Sequence, residues 1–225
     1  MKVVYGVDGC KGGWIAASRT DSGEIQLRVI NSVRDLISSN PVVIAVDIPI
    51  GLSDGEPRQC DLAARRLLGS GRGTSVFPTP FRDVVRVRGW AEANTFSKAK
   101  YGKGISKQVS AISPKICEVD DLFPLQAHVT LIEVHPEVCF WKLNGERPVT
   151  ERKKTRAGRE RREAVLREHG LALRAEGLPS GASRDDALDA VAALWTAERF
   201  TRGEAVRLPE LEFKSSDGRP MNIWF

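Results

Sequence analysis

The sequence predicts a mixed α/β fold built on a five-stranded sheet, in which three antiparallel strands are followed by parallel strands and helices flank the sheet. Near the start of the chain, short segments rich in β-branched residues alternate with glycine-containing turns, which is typical of an antiparallel meander. Further on, the run VVIAVDIPIG at 42–51 is almost continuously apolar, as expected of a buried parallel strand. Helical patterns before and after the next strand predict the flanking helices.

The first elements are short. The meander is predicted at KVVYGV (2–7), GWIAAS (13–18) and EIQLRVI (24–30). A short helix, SVRDLISS at 32–39, ends at Asn40-Pro41, because proline disfavours a helical conformation in the residue before it. The connection through this helix then places the strand at 42–51 parallel to the first strand and beside it.

Residues 53–127 are predicted to form a helical insertion between the fourth and fifth strands, within a single domain that spans 1–225. The segment is too long for a plain loop in a compact domain, and it carries helical patterns at RQCDLAARRLLG and WAEANTFSKAKYG. The strand pattern resumes with VTLIEVH at 129–135. Helices are expected at about 151–169 and about 184–201, and the apolar tail GRPMNIWF is expected to pack on the body of the protein.

The composition predicts a cytoplasmic globular protein that does not cross a membrane. The chain has 225 residues, of which 41% are hydrophobic and 28% are charged, a balance typical of soluble globules. Its first residues predict a strand rather than a signal segment, and no uncharged apolar run approaches the length that spans a bilayer. The four scattered cysteines are expected to be reduced thiols. The sequence leaves the oligomeric state open, with a homodimer as one alternative.

Positive charge is concentrated in one part of the chain. The formal net charge is +5, and 11 Lys and Arg against 5 Glu lie between Lys142 and Arg174. A local basic excess favours a polyanionic partner such as nucleic acid. The alternative is a solvated helix face whose charges are paired with one another.

Two carboxylates are predicted to meet at one edge of the sheet. Asp8 ends the first strand beside a turn that contains Gly9, Gly12 and Gly13. If the first and fourth strands are parallel neighbours, Asp8 and Asp47 lie about 5 Å apart. Two carboxylates at that distance repel each other unless they share a cation or a proton. The turn is therefore either an ordinary hairpin corner or a place kept clear for a charged ligand.

The helix that starts near Ser183 offers further acids. Ser183 and Asp186 form a capping box, which gives Asp186 a structural role. Asp189 is the only charged residue among residues 187–197, so it is predicted to be a buried carboxylate that needs a partner or a metal ion. Asp185 and Asp186 share its helical face. The alternative is an exposed helix with its acids in water.

The end of the strand at 129–135 adds two more candidates. Glu133 and His135 lie where ligands bind in open sheets of this type. His135 has the alternative of a core histidine that bonds to the backbone. Because the chain has only three histidines, a metal site is expected to use oxygen ligands.

Several motifs together resemble a known family. They are GVDGCKGGW (6–14), DIPIGL (47–52), RQCDLAAR (58–65), VFPTPFR (76–82), SKQVSAISPKICEVD (106–120), EVHPEVCF (133–140) and DDALDAVAA (185–193). On these motifs the chain is similar to the predicted RNase H-like nucleases, the family of domain of unknown function 429. The resemblance implies a ribonuclease H-like fold, in which the first and fourth strands lie side by side. Ribonucleases H proper carry a glutamate on the first helix, and here that helix offers only Asp35, so the pattern is closer to the Holliday-junction resolvases.

This resemblance, with the carboxylate pattern, implies a metal-dependent nuclease that hydrolyses phosphodiester bonds of nucleic acid with two Mg²⁺ or Mn²⁺ ions. The expected metal ligands are Asp8, Asp47, Asp186 and Asp189, and Glu133 completes the expected catalytic set. The expected substrate-binding residues are Lys11, Arg58, Arg65, Arg82, Gln108, Lys115 and His135.

Two other functions remain open at this point. One is a phosphotransferase of the sugar-kinase and actin type, which shares the core of the fold and binds phosphate at an Asp-Gly turn. Against it, 225 residues do not easily supply two such domains. The other is a non-catalytic nucleic-acid binding module in which the acids are structural.

Overall fold

The computed structural model describes residues 3–174 and 177–225. The strands are β1 (Val4–Cys10), β2 (Gly13–Arg19), β3 (Ile25–Ile30), β4 (Val43–Val46), β5 (Thr130–Val134), β6 (Arg207–Leu208) and β7 (Ile223–Trp224). They form one mixed sheet in the order β3-β2-β1-β4-β5-β7-β6. The helices are α1 (Arg34–Ile37), α2 (Gln59–Arg72), α3 (Arg82–Val85), α4 (Trp90–Tyr101), α5 (Lys107–Asp120), α6 (Pro136–Leu143), α7 (Arg156–Glu168) and α8 (Arg184–Thr201).

The mixed α/β architecture is confirmed, but the predicted number of five strands is wrong. The C-terminal tail contributes β6 and β7, of which β7 lies parallel to β5 and antiparallel to β6. Each of these strands has two residues, whereas an alternating pattern becomes recognisable only over about four or more. The two added strands extend the sheet beyond β5.

The register brings Asp8 and Asp47 to the same edge. β1 pairs with β4 in parallel, with Val7 opposite Val46. The ladder continues one step further, since the Asp47 amide donates to the Val7 carbonyl at 2.9 Å. The predicted parallel neighbourhood of the first and fourth strands is therefore confirmed. β4 ends at Val46 rather than at residue 51 because Pro49 has no amide to donate and the Ile50 amide donates to the Glu133 carboxylate instead.

Helix α8 packs directly on β1. A Cβ atom at Gly6 would lie 2.0 Å from the Leu194 amide nitrogen, so only glycine allows this close approach. Helices α6, α7 and α8 cover one face of the sheet, on which Ala45 and Val134 lie. Helices α1 and α5 cover the other face, on which Val46 and Leu131 lie. Since side chains alternate along a strand, Gly6 and Asp8 both face α8.

The segment between β4 and β5 contains helices α2 to α5. The helical patterns predicted there correspond to α2 and α4, but α5 was not predicted. Its interior contains Pro114, which removes one hydrogen-bond donor and disrupts the usual helical signal. Ile116 and Val119 hold α5 against the sheet face opposite α8. Among the described residues, none of the helices combines the length and the apolar character needed to cross a membrane.

The predicted basic helix begins later than expected. Helix α7 starts at Arg156, after an N-cap at Thr155 whose side chain accepts a hydrogen bond from the Gly158 amide. Residues 151–155 are a loop without regular strand or helix. This loop is the segment that reaches the carboxylates described next.

Candidate active site

Carboxylates from three elements come together at the end of β1. Asp8 ends the buried part of β1, Asp47 directly follows β4, and Asp189 lies in the second turn of α8. Asp8 is 9% exposed and Asp189 3% exposed. Burial raises the pKa of Asp8 well above the usual range of a carboxyl group, and the charges of Asp47 and Asp189 raise it further. Asp8, Asp47 and Asp189 are therefore close enough for their charges to act on one another.

Burial also raises the pKa values of the other two carboxyl groups, Asp47 and Asp189. Burial, followed by the charge of Asp189, raises the pKa of Asp47 to about 8. Desolvation and mutual repulsion both disfavour the charged forms, so the cluster favours a cation or a shared proton.

Lys153 supplies a positive charge to this cluster. Its ammonium nitrogen lies 2.9 Å from Oδ2 of Asp189, and its charge lowers the pKa of both Asp8 and Asp47. The lysine side chain remains 44% exposed, so it reaches the acids from the solvent side. Sequence reasoning treated Lys153 as one charge in a basic helix. The sequence predicts that the buried Asp189 needs a cation, but no residue near it in the sequence identifies Lys153 as that cation.

The first turn of α8 distributes its acids among different partners. Oδ2 of Asp186 accepts a hydrogen bond from the Ser183 amide at 2.9 Å, as the predicted capping box requires. Asp185 pairs with Arg159 at 2.7 Å. The charge of Asp186 also raises the pKa of Asp8. Asp186 therefore caps the helix and adds negative charge to the cluster at the same time.

The glycine turn after Asp8 is packed rather than open. The Gly12 amide donates to the Gly181 carbonyl at 2.9 Å, and a Cβ at Gly12 would lie 3.2 Å from the Gly181 Cα. Gly13 has φ +121°, and a Cβ there would lie 2.4 Å from the Ile30 carbonyl oxygen. Close backbone packing thus accounts for these two glycines. At Gly9 the missing side chain leaves room for Lys115, whose Cδ would lie 3.1 Å from a Cβ.

Glu133 faces the side of the sheet away from Asp8 and Asp189, although its charge also raises the pKa of Asp47. Its position in β5 has the parity of Leu131, so its side chain faces away from α8. There it lies 2.6 Å from the Arg58 guanidinium and accepts a hydrogen bond from the Ile50 amide at 2.7 Å. Burial raises the pKa of Glu133 to about 7, and the charge of Arg58 lowers it. These contacts give Glu133 a structural role.

Arg58 is correspondingly unsuited to its predicted contact with nucleic acid. Its side chain is 1% exposed and also lies 3.4 Å from Asp61. Within residues 3–174 and 177–225, the group of three metal-ligand atoms that lie within 4.8 Å of one another is formed by Cys60, Asp61 and Glu133. The Arg58 guanidinium already contacts all three, including the Cys60 sulfur at 2.8 Å. An arginine therefore supplies the cation at this second acidic group.

The ligand oxygens of Asp8, Asp47 and Asp189 are spaced more widely than such a compact group. Lys153 contacts Asp189 from the solvent side. The donors are all carboxylate oxygens, which are the ligands that Mg²⁺ and Mn²⁺ prefer. The chemistry of the donor set fits a hard divalent cation, provided that the Lys153 ammonium moves.

The remaining predicted substrate-binding residues have varied surroundings. Lys11 and Gln108 are exposed. The Lys115 ammonium donates to the Gly13 carbonyl and lies 4.3 Å from the centre of the Trp14 ring. Two arginines are engaged within the protein: Arg65 donates to the Val76 carbonyl at 2.7 Å, and Arg82 pairs with Asp54 and Asp217.

His135 and Asp47 line a small, mainly apolar cavity whose lining also includes Asp61, Thr79 and Glu133. Its Nδ1 atom is buried and has no hydrogen-bond partner among the described residues. Burial lowers the pKa of His135, which favours the neutral ring. The structure thus places Lys11, Lys115 and His135 around the carboxylate cluster or its turn, whereas Arg58, Arg65 and Arg82 serve contacts inside the protein.

The pKa of Asp47 gives the metal-free protein a defined pH dependence. Because this pKa is raised to about 8 in the folded protein, the protonated carboxyl group stabilises the fold at low pH, and this stabilisation is lost as the pH rises from about 4 to about 8. Asp47→Asn does not titrate. We expect the melting temperature of Asp47→Asn minus that of the wild type, measured in EDTA, to increase between pH 5 and pH 8.

The matched control is Asp21→Asn, because Asp21 is an exposed acid outside the cluster. Its melting temperature should follow the wild-type curve at every pH. Parallel curves for Asp47→Asn and the wild type would contradict the clustering of buried carboxylates.

A family model described as protein of unknown function (DUF429) matches residues 6–212. Neither the curated proteins nor the solved structures contain a significant match to the chain. The matched region contains the carboxylate cluster, the Lys153 loop and helices α2 to α5.

Proposed function

This chain belongs to the DUF429 family, and we propose that it is a metal-dependent nuclease that hydrolyses phosphodiester bonds of nucleic acid. The observation that carries the proposal is the convergence of Asp8, Asp47 and Asp189 beside a single lysine. The side-by-side placement of β1 and β4 is what a ribonuclease H-like fold implies, and it supports that assignment. Buried like charges are costly to a fold, so their presence together at one strand edge favours a role in binding a cation.

The residues that would hold Mg²⁺ or Mn²⁺ are Asp8, Asp47, Asp186 and Asp189. When bound, such ions activate a water molecule and stabilise the leaving oxygen of a phosphodiester. Asp8 and Asp189 come from a strand and a helix that are locked together at Gly6, which fixes the spacing of their carboxylates. Asp186 has only one oxygen engaged in the capping box, which leaves the other for a cation.

Cationic side chains around the cluster suit a phosphate group. Lys115 is held beside the Asp8 turn by the Gly13 carbonyl, and Lys11 is exposed on the same turn. Phosphate contacts of this kind position a nucleic acid without reading its sequence. In this proposal Lys153 leaves Asp189 when a divalent cation arrives, and its ammonium becomes a further phosphate contact.

Activity is tested with purified protein and a panel of labelled DNA, RNA, hybrid and branched oligonucleotides in EDTA, Mg²⁺ or Mn²⁺. Cleavage that requires the metal supports the proposal. Metal-independent binding without cleavage of any substrate would favour a non-catalytic module, and binding of ATP would favour a phosphotransferase.

Lys153 gives a test that does not depend on activity. We expect Lys153→Gln to bind Mn²⁺ about tenfold more tightly than the wild type, because the ion no longer has to displace a positive charge from Asp189. Titration calorimetry at pH 8.5 measures this affinity while limiting competition from protons on Asp47. Lys154→Gln is the matched control, since Lys154 is an exposed neighbour. Equal or weaker affinity in Lys153→Gln would contradict the displacement of Lys153.

A further inference from the structure

Helix α4 carries two aromatic side chains on its exposed surface. Trp90 is 40% exposed and Phe96 is 37% exposed. Val87, Ala91, Glu92 and Thr95 line a shallow, mainly apolar hollow next to Phe96. The helix itself buries only Ala93 and Ser97. Such a face does little for the core, and exposed apolar surface of this kind is typical of binding sites.

The two rings are held in place and flanked by lysines. The Trp90 indole nitrogen donates to the Ile105 carbonyl at 3.0 Å, which fixes the orientation of the ring. The Lys107 ammonium lies 5.1 Å from the centre of the Trp90 ring, and that of Lys100 lies 5.9 Å from the centre of the Phe96 ring. Each ring thus has a lysine nearby, and the Lys100 ammonium also pairs with the Asp83 carboxylate.

The charge of the surrounding segment indicates the chemistry of the partner. Residues 82–108 contain seven Lys and Arg and two acidic residues, Asp83 and Glu92. Arg82, Arg86 and Lys100 are paired with carboxylates, and the other four cations are Arg88, Lys98, Lys103 and Lys107. This excess favours a polyanion over a second copy of this basic chain, because two such faces would repel each other. Aromatic rings beside lysines are the arrangement on which unpaired bases stack while the cations contact the phosphates.

Helix α5 connects the surface of α4 to the turn that follows Asp8. Lys107 begins α5, and Lys115 of the same helix donates to the Gly13 carbonyl next to the Asp8 turn. Eight residues of α-helix span about 12 Å. Because α5 packs on the sheet face opposite α8, a strand bound at Trp90 would pass around the end of β1 to reach the carboxylates.

We propose that the exposed surface of α4, with Trp90 on one flank of the helix and Phe96 about 120° around it, binds single-stranded nucleic acid by base stacking and directs it to the carboxylate cluster. Binding at this face is independent of metal, whereas the delivery of a strand for cleavage rests on the proposed nuclease function. The proposal narrows the substrate class to nucleic acid with unpaired bases.

Fluorescence anisotropy in EDTA measures binding without cleavage. The probes are a labelled 12-mer of thymidine, a 12-mer of uridine and a 12-base-pair DNA duplex. We expect Trp90→Ala and Phe96→Ala each to weaken binding of the single strands by about tenfold and to leave duplex binding within about twofold. Phe213→Ala is the matched control, because Phe213 is also 39% exposed but lies outside α4.

Circular dichroism and thermal melts establish that each variant is folded. If Trp90→Ala does not fold, Trp90→Phe replaces it, and this variant should retain most of the single-strand affinity while Phe96→Ala loses it. Wild-type protein that does not bind single strands, or α4 variants that bind them like Phe213→Ala, would overturn the proposal. Normal metal-dependent cleavage by such variants would leave the nuclease function intact. Conversely, if the wild type cleaves nothing but the α4 variants lose single-strand binding, the binding proposal stands and the nuclease proposal is refuted.

Discussion

Asp8→Asn is expected to reduce metal-dependent cleavage of nucleic acid by on the order of a thousandfold or more. The charges of Asp47 and Asp189 both act on Asp8 and raise its pKa. The asparagine keeps the shape of the side chain but removes the charge that would hold the cation in place. Rates measured with excess oligonucleotide and saturating Mn²⁺ test the expectation, and Asp47→Asn should behave in the same way.

The control for this experiment is Asp185→Asn. Asp185 is also an acid in the first turn of α8, but it pairs with Arg159 at 2.7 Å and is not among the main charges that raise the pKa of Asp8. Its activity should stay within a few-fold of the wild type. Full activity of both Asp8→Asn and Asp47→Asn would refute the carboxylate mechanism.

Arg58→Ala is expected to lower the free energy of unfolding by about 3–5 kcal/mol. The substitution leaves the carboxylates of Glu133 and Asp61 buried without their cation, and Glu133 is 5% exposed. Urea denaturation followed by circular dichroism measures this loss. Glu133→Gln in the Arg58→Met background removes both charges of the closest pair, so it should recover part of the stability.

The same variants separate a structural role from a catalytic or substrate-binding one. If Arg58 holds the fold, single-strand binding by the folded fraction of Arg58→Ala is unchanged. A stable Arg58→Ala protein with weakened binding of nucleic acid would reinstate the role that the sequence suggested. A stable Glu133→Gln protein without cleavage would likewise return Glu133 to the catalytic set.

Local sequence patterns were sufficient for the features that depend on near neighbours. The meander of β1 to β3, the apolar β4 and the capped α8 with its nearly apolar stretch at 187–197 follow from residue type and spacing within each segment. These elements and the rule for connections between parallel strands also predicted that Asp8 and Asp47 lie at the same edge of the sheet. The parallel register of β1 with β4 confirms this. The two-residue strands β6 and β7 and the proline-containing helix α5 escaped prediction because their local signals are weak.

The pairing of charges could be settled only by the tertiary structure. Lys153 and Asp189 are 36 positions apart in sequence, and Arg58 and Glu133 are 75 positions apart. A buried carboxylate requires a cation, but its sequence neighbours do not specify which of 34 Lys and Arg supplies it. The packing of α8 on Gly6 and the position of the 151–155 loop bring Lys153 to Asp189, whereas side-chain alternation in β5 turns Glu133 towards Arg58. The identity of a buried ion pair is therefore a property of how distant elements pack.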